Sequence, residues 1–301
     1  MMFDRGGVQP CKCVCGAMPR RIQLQRIAAY GAVLQNGSMR RIALFSDIHG
    51  NLPALDAVLA DVDAAGVVER VCLGDLVGYG PDPAGVIERV RGLGIPVVIG
   101  NYDDGVGGRR GQCGCYYATE QAKADGAASY DFTAARVGDV DGAWLVSLPF
   151  EYRIVEGTAR VLMTHGSPRK INEYLLPDRS DAQLARLAET AAADIVCVGH
   201  VHVPYHRAVP SGDALVHYVS SGSVGKPKDG DARACWVELL LGSQAEVRAA
   251  APDDVAAAAA GASETWVATR THRVGYPVAE VAEAMRAAGL PETLAAALLG
   301  D

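Results

Sequence analysis

The chain has 301 residues, half of them apolar and 21% charged, enough for one large core or two modest ones in a globular protein. Its net charge of −7 argues against a broad nucleic-acid-binding surface, although a small phosphorylated substrate drawn in by metals remains compatible with it. No apolar run approaches the ~18 residues of a membrane span, and residues 1–38 lack the continuous apolar core of a typical secretory signal.

Residues 1–38 have no convincing periodicity. They are read as a disordered or mis-called extension, with Met39 as the natural start. The alternating Cys11, Cys13 and Cys15 lack a second ligand group at zinc-site spacing. From residue 41 strands and helices alternate. A β-branched and aromatic run at 42–46 predicts a buried strand. A helix over 52–65 follows, with Leu55, Val58, Leu59 and Val62 at helical spacing. A strand is expected at 71–73, a helix at 83–91 with Pro83 in its first turn, and a third strand at 96–99. Residues 103–150 read as an excursion with a glycine-rich loop, Cys113-Gly-Cys115 and one or two helices. The runs 152–155 and 160–163 predict a hairpin. A helix at 181–192 precedes a strand at 195–198, and further strands are expected at 205–209, 215–219 and 234–241. Residues 249–262 are alanine-rich and read as a low-complexity helix or linker. A helical hairpin, 278–288 and 291–299, closes the chain and is expected to pack on a main domain of residues 39–250. Short strands alternating with helices argue for parallel βαβ units in an α/β sandwich. Cys72, Cys197 and Cys235 lie singly in apolar runs and read as small core residues. The cysteine pattern is no secreted disulfide framework, so a reducing cytoplasm is expected.

Five of the predicted strands end in side chains able to bind a metal: Asp47 and His49, Asp75, Asn101, His165, and His200 and His202. A glycine adjoins each ligand or pair (Gly50, Gly74, Gly100, Gly166, Gly199), which lets the backbone turn sharply and an ion approach. The chain has seven histidines, and four of them stand at these strand ends. The carboxyl ends of strands are where open α/β sheets place their ligands. Seven candidates exceed the needs of one ion, which takes three protein ligands and an open position, and suit two ions about 3.5–4 Å apart. Oxygen and imidazole donors favour manganese, iron, zinc, cobalt or nickel over a thiolate-selected metal.

Asp47-Ile48-His49-Gly50-Asn51, Gly74-Asp75, Gly100-Asn101-Tyr102-Asp103, Thr164-His165-Gly166 and Gly199-His200-Val201-His202 resemble, in order, the five motifs of the calcineurin-like metallophosphoesterases. The resemblance covers about residues 40–245 and points to the small bacterial and archaeal phosphodiesterase branch. It implies a four-layer α/β/β/α sandwich of two mixed sheets flanked by helices. It also implies one ion held by Asp47, His49, Asp75 and His202, and another held by Asp75, Asn101, His165 and His200, with Asp75 bridging. A metal-bound hydroxide would then attack phosphorus in line, hydrolysing a small phosphodiester, phosphomonoester or phosphoanhydride. One position departs from the family: the third motif usually has a histidine after Gly-Asn, and here it is Tyr102. Asp103, which orients that histidine in the family, is retained. A tyrosine with a pKa near 10 donates a proton to an alkoxide poorly, so good leaving groups become more plausible. A dinucleoside polyphosphate hydrolase is therefore the alternative reading. A catalytically weak binding or scaffold protein is a second.

Arg169 and Lys170 follow the fourth motif closely and are candidate phosphate binders, with Asn172 near. Tyr79 and Tyr174 are candidates to stack on a base or aryl group. Cys113 and Cys115 are candidates for a redox-sensitive clasp. The loop 220–226 lacks a P-loop ending and reads as a structural turn.

Overall fold

The computed structural model describes residues 39–300, so the extension and its three cysteines lie outside the described residues. β1 (Arg40–Phe45) and β2 (Glu69–Cys72) pair in parallel across α1 (Leu52–Ala64). The Asn51 side chain accepts from Ala54 N–H at 3.2 Å and fixes the start of α1; Leu55, Val58, Leu59 and Val62 form its buried face. α2 (Pro83–Leu93) begins at an Asp82 cap and stops at Gly94, whose φ of 63° a side chain would disfavour.

The strand expected at 96–99 shrinks to a single parallel bridge between Cys72 and Val97. Pro96 has no N–H to donate, and Ile99 turns its N–H away to the Pro149 carbonyl at 2.9 Å. The excursion holds three helices instead of one or two: α3 (Asn101–Gly107), α4 (Glu120–Ala134) and α5 (Asp139–Ser147).

The expected hairpin is present as β3 (Glu151–Glu156) and β4 (Ala159–Thr164). α6 (Asp181–Ala191), β5 (Ile195–Val198), β6 (Pro204–Ser211), β7 (Ala214–Ser221) and β8 (Ala234–Gly242) follow. After α7 (Gln244–Ala250) the alanine-rich stretch does not continue as a helix. It leads through β9 (Ala258–Ala259) into β10 (Trp266–Val274), which pairs with β8 over all nine of its residues. The reading of this stretch as a linker between domain and hairpin is thus corrected. The terminal hairpin forms as α8 (Val278–Ala287) and α9 (Glu292–Leu299) and packs on Tyr79 and Phe132.

The strands form two mixed five-stranded sheets, ordered β2-β1-β8-β10-β9 and β3-β4-β5-β7-β6. Strand alternation accounts for the layers. Ile42 and Leu44 of β1 meet Val161 and Met163 of β4 and Ile195 and Cys197 of β5 between the sheets. Ala43 and Phe45 face the other way, onto Leu55 and Val58 of α1 and Val86 and Ile87 of α2. On the far side, Leu162, Val196 and Val198 pack on Leu184 and Leu187 of α6. Helix, sheet, sheet and helix are therefore stacked as expected. Cys72, Cys197 and Cys235 are all buried, as core residues of this size should be.

Candidate metal centre

The carboxyl ends of β1 and β2 in one sheet and of β4 and β5 in the other meet at one edge of the sandwich. The loops leaving them are laced together by backbone bonds: Asp47 N–H to Gly74 O (2.9 Å), His49 N–H to Asp75 O (3.1 Å), Gly199 N–H to His165 O (2.8 Å) and Gly225 N–H to Asp47 O (3.0 Å). Space is tight. A Cβ on Gly225 would stand 1.9 Å from the Ile48 carbonyl oxygen, and one on Gly100 would stand 2.1 Å from Asp75 N. Asp47, His49, Asp75, His200 and His202 all take left-handed φ values between 51° and 66°. Each such residue costs about 1 kcal/mol or more, and such strain collects where side chains must be aimed at a ligand.

The aim is specific. Asp47, His49 and His202 form one buried group, and Asp75, His165 and His200 form another. In three histidines Nδ1–H donates to a backbone carbonyl: His49 to Val77 (2.9 Å), His165 to Leu73 (2.8 Å) and His202 to Lys226 (2.5 Å). That fixes the tautomer and leaves each Nε2 lone pair facing inward. His49 Nε2 and His202 Nε2 thus confront each other at 3.3 Å, and His200 Nε2 is buried with no hydrogen-bond partner. Each carboxylate divides its oxygens in the same way. Asp47 Oδ2 accepts from His200 N–H (2.9 Å) and from the Ser46 hydroxyl, while Oδ1 has no hydrogen bond and faces His202 Nε2 at 3.1 Å. Asp75 Oδ1 accepts from Tyr102 N–H (2.8 Å), while Oδ2 stands 3.8 Å from His49 Nε2 and 3.4 Å from His165 Nε2. One oxygen therefore looks toward both groups. Asn101, the first residue of α3, donates Nδ2–H to Cys113 O (3.2 Å), which turns its Oδ1 to His165 Nε2 at 3.0 Å.

The electrostatics call for cations. Burial holds His49 and His200 neutral, each lowered to about 3. Burial would raise the Asp47 and Asp75 carboxyls, but the surrounding imidazoles outweigh it and both are held below the usual range. Burial alone would lower His165, yet the Asp75 carboxylate wins and lifts it to about 9. Without a metal, His165 takes up a proton that a divalent ion would displace. Inward lone pairs, unpartnered carboxylate oxygens and strained backbone all fit two divalent cations.

Tyr102 lines the cavity over these groups, is 1% exposed, and has a hydroxyl with no hydrogen-bond partner. Its ring packs edge-on to His49 (5.5 Å) and near Tyr79 (5.0 Å). Asp103 does not touch that hydroxyl. It accepts from the N–H groups of Asp75, Leu76 and Gly100, each at 2.9 Å, and so clamps the Asp75 loop. Arg169 is away from the cavity lining and forms two bonds to Glu173 (2.6 and 2.7 Å); Lys170 is exposed and also outside the lining. Tyr79 and Tyr174 do line the cavity, the latter stacked on His200 at 3.9 Å. Cys115 lines it as well, with Cys113 Sγ 2.7 Å from its sulfur.

Five contributing residues escaped the sequence reading. Ser46 orients Asp47. Lys226 reaches the cavity from the loop read as a structural turn, Lys228 from just beyond that loop, and Leu294 and Ala297 from the terminal hairpin. Only the position of Ser46, directly before the first motif, offered a signal.

Residues 39–240 match the family model described as the calcineurin-like phosphoesterase superfamily domain. An uncharacterized protein of Methanocaldococcus jannaschii is 32% identical over 209 residues, which is 65% of this chain and 80% of that protein. The crystal structure of a metallophosphoesterase from Sphaerobacter thermophilus is similar with a TM-score of 0.62 and 30% identity, covering 87% of this chain and 99% of that one. A hypothetical protein from Pyrococcus horikoshii shares the fold with a TM-score of 0.65 at 20% identity, over 86% and 97% of the two chains. With motifs, sheet order and the two facing groups in agreement, this chain belongs to the calcineurin-like phosphoesterase superfamily.

Proposed function

We propose that this protein is a two-metal phosphoesterase acting on a small phosphorylated substrate. The observation that carries the reading is Asp75 Oδ2, which faces His49 Nε2 at 3.8 Å and His165 Nε2 at 3.4 Å with its sister oxygen occupied by Tyr102 N–H. Asp47, His49, Asp75 and His202 would hold one divalent transition-metal ion, and Asp75, Asn101, His165 and His200 the other. Two such ions, when bound, neutralise charge on the phosphoryl group and acidify water for attack at phosphorus. The protein's own part is to hold seven donors at fixed positions. The carbonyls of Val77, Leu73 and Lys226 keep three imidazoles in one tautomer, and Asp103 ties the Asp75 loop to Gly100.

Tyr102, whose unpartnered hydroxyl belongs to the cavity lining, would donate a hydrogen bond to a substrate oxygen. Burial raises its pKa well above the usual value, so it orients an oxygen better than it surrenders a proton. This favours substrates whose leaving group needs no proton, and phosphoanhydrides such as dinucleoside polyphosphates are the second reading. A metal-by-substrate activity matrix over nitrophenyl esters, cyclic nucleotides and dinucleoside polyphosphates tests both readings. Hydrolysis should vanish on exhaustive chelation and return with a divalent transition metal; full activity after chelation would refute the two-metal reading.

A further inference from the structure

A second cavity, ≈ 320 Å³, opens beside the one over the metal groups, between the α8–α9 hairpin and the loop of residues 225–232. It falls at the lower end of the range that takes a small-molecule ligand, about 300–1,000 Å³. The two spaces adjoin: Tyr79, Lys226, Lys228, Leu294 and Ala297 line both. They differ in chemistry. The inner space is walled by His49, Asp75, His200 and His202. The outer one has an aliphatic wall of Val281, Met285, Leu294 and Leu298.

The junction carries charge. Lys226 Nζ lies 4.5 Å from the Tyr79 ring centroid, and Asp125 is the carboxylate of the same lining that acts on it. The backbone of Lys226 is pinned: its N–H donates to Ser223 Oγ at 2.9 Å, and its carbonyl accepts from His202 Nδ1 at 2.5 Å. The backbone that carries this cation is thereby held directly against the candidate metal ligand His202, in a chain whose net charge is −7.

Resting on the two-metal reading, we infer that the substrate is an organic diphosphate: its scissile phosphoryl group sits at the metals, its second phosphate at Lys226 and Lys228, and its apolar group under the terminal hairpin. In the reaction the oxygen of water bonds to the scissile phosphorus and the bond from that phosphorus to the bridging oxygen breaks. The bridging oxygen leaves with the electron pair as part of an organic monophosphate, and the proton of water goes to solvent. A phosphate leaving group needs no acid. The place of the family's histidine can therefore be filled by Tyr102, and the positive charge that steadies the departing monophosphate comes from the lysines.

The probes are ADP and pyrophosphate for turnover, with α,β-methylene-ADP and methylenebisphosphonate for calorimetric binding to the full metal-loaded chain. Within each pair the probes differ by an adenosyl arm, the group that would occupy the outer cavity. Ala297 is exposed at the junction, so Ala297→Trp should block the outer cavity without disturbing a core. This variant should weaken α,β-methylene-ADP at least tenfold more than methylenebisphosphonate, and lower the ADP-to-pyrophosphate ratio of kcat/KM at least tenfold. Lys226→Gln should raise KM for both turnover probes. Equal effects of Ala297→Trp on the two binding probes, or none, would overturn the subsite. If the wild type hydrolyses nitrophenyl esters with metal but binds both probes alike, the subsite fails and the phosphoesterase reading stands. If no ester or anhydride is cleaved with any metal, that reading fails, and the binding comparison still decides the subsite.

Discussion

Among the described residues two places bury histidines beside a carboxylate, and their hydrogen bonding is opposite. In the β6–β7 pair every imidazole nitrogen has a partner: His206 Nδ1 meets Asp254 Oδ2 at 2.7 Å, His206 Nε2 meets His217 Nδ1 at 2.9 Å, and His217 Nε2 meets the Ala259 carbonyl at 3.2 Å. Asp254 also accepts from Thr269 N–H at 2.7 Å, so the chain of bonds ties β6 and β7 to β10. At the sandwich edge only the Nδ1 atoms of His49, His165 and His202 are tied to backbone, and their Nε2 atoms converge on carboxylate oxygens left open. The backbone differs as well: five of the six residues in the two metal groups lie at positive φ, whereas His206 and His217 lie in ordinary strands. Burial and residue type do not separate a structural cluster from a candidate metal centre; unfilled acceptors on strained backbone do.

The largest way to break this contrast is Asp75→Ala. Removing the oxygen that faces both groups should release both ions and reduce hydrolysis below detection; two bound ions by elemental analysis at wild-type occupancy would sink the bridging role. The closed cluster should respond in stability instead. Burial lowers His217 to about 4, so it is neutral in the fold, whereas the unfolded chain takes up the proton near pH 6.5. Stability should fall as pH drops from about 6.5 and level off below about 4, by up to roughly 3 kcal/mol from this group. His217→Gln should flatten that part of the pH profile in denaturant titrations and leave metal content unchanged; an unaltered slope would count against it. The smallest effect is expected at Tyr102. Tyr102→His should raise turnover of alkyl esters more than of nitrophenyl esters, by about tenfold in the ratio, since only poor leaving groups need the proton. Equal changes for both ester classes would point to packing alone.

Much of the centre was legible because its signals are local. Each apolar run stops at a glycine-flanked Asp, Asn or His, and the seven candidates share one edge of the sandwich whether or not their strand is formed. Asn101 shows the limit: its strand dissolved, since Pro96 and the turn of Ile99 end the pairing, yet the residue reached the same place at a helix start. β10 was missed because its polar residues are satisfied across the sheet and leave no apolar run to notice. Arg270 pairs with Glu238 at 3.2 Å, and His272 stacks on Trp236 at 3.8 Å. Arg169 misled for the reverse reason. Proximity to a motif in sequence says nothing about direction, and Glu173, four residues on, claims its guanidinium. Lys226 was hidden by a loop whose interest lies in what folds over it from the far end of the chain.

The pairing of β10 along the whole of β8 bears on how this protein can be cut. The stretch shared with the family model ends at residue 240, within β8, yet β8 is an interior strand only because β10 covers its far side. A version ended at residue 250 would present Ala-Cys-Trp-Val-Glu-Leu-Leu-Leu as a bare sheet edge. Such an edge recruits other chains and invites insoluble assemblies. The end of the family-model match is therefore no safe place for a terminus, because the residues beyond it sheathe the open side of β8.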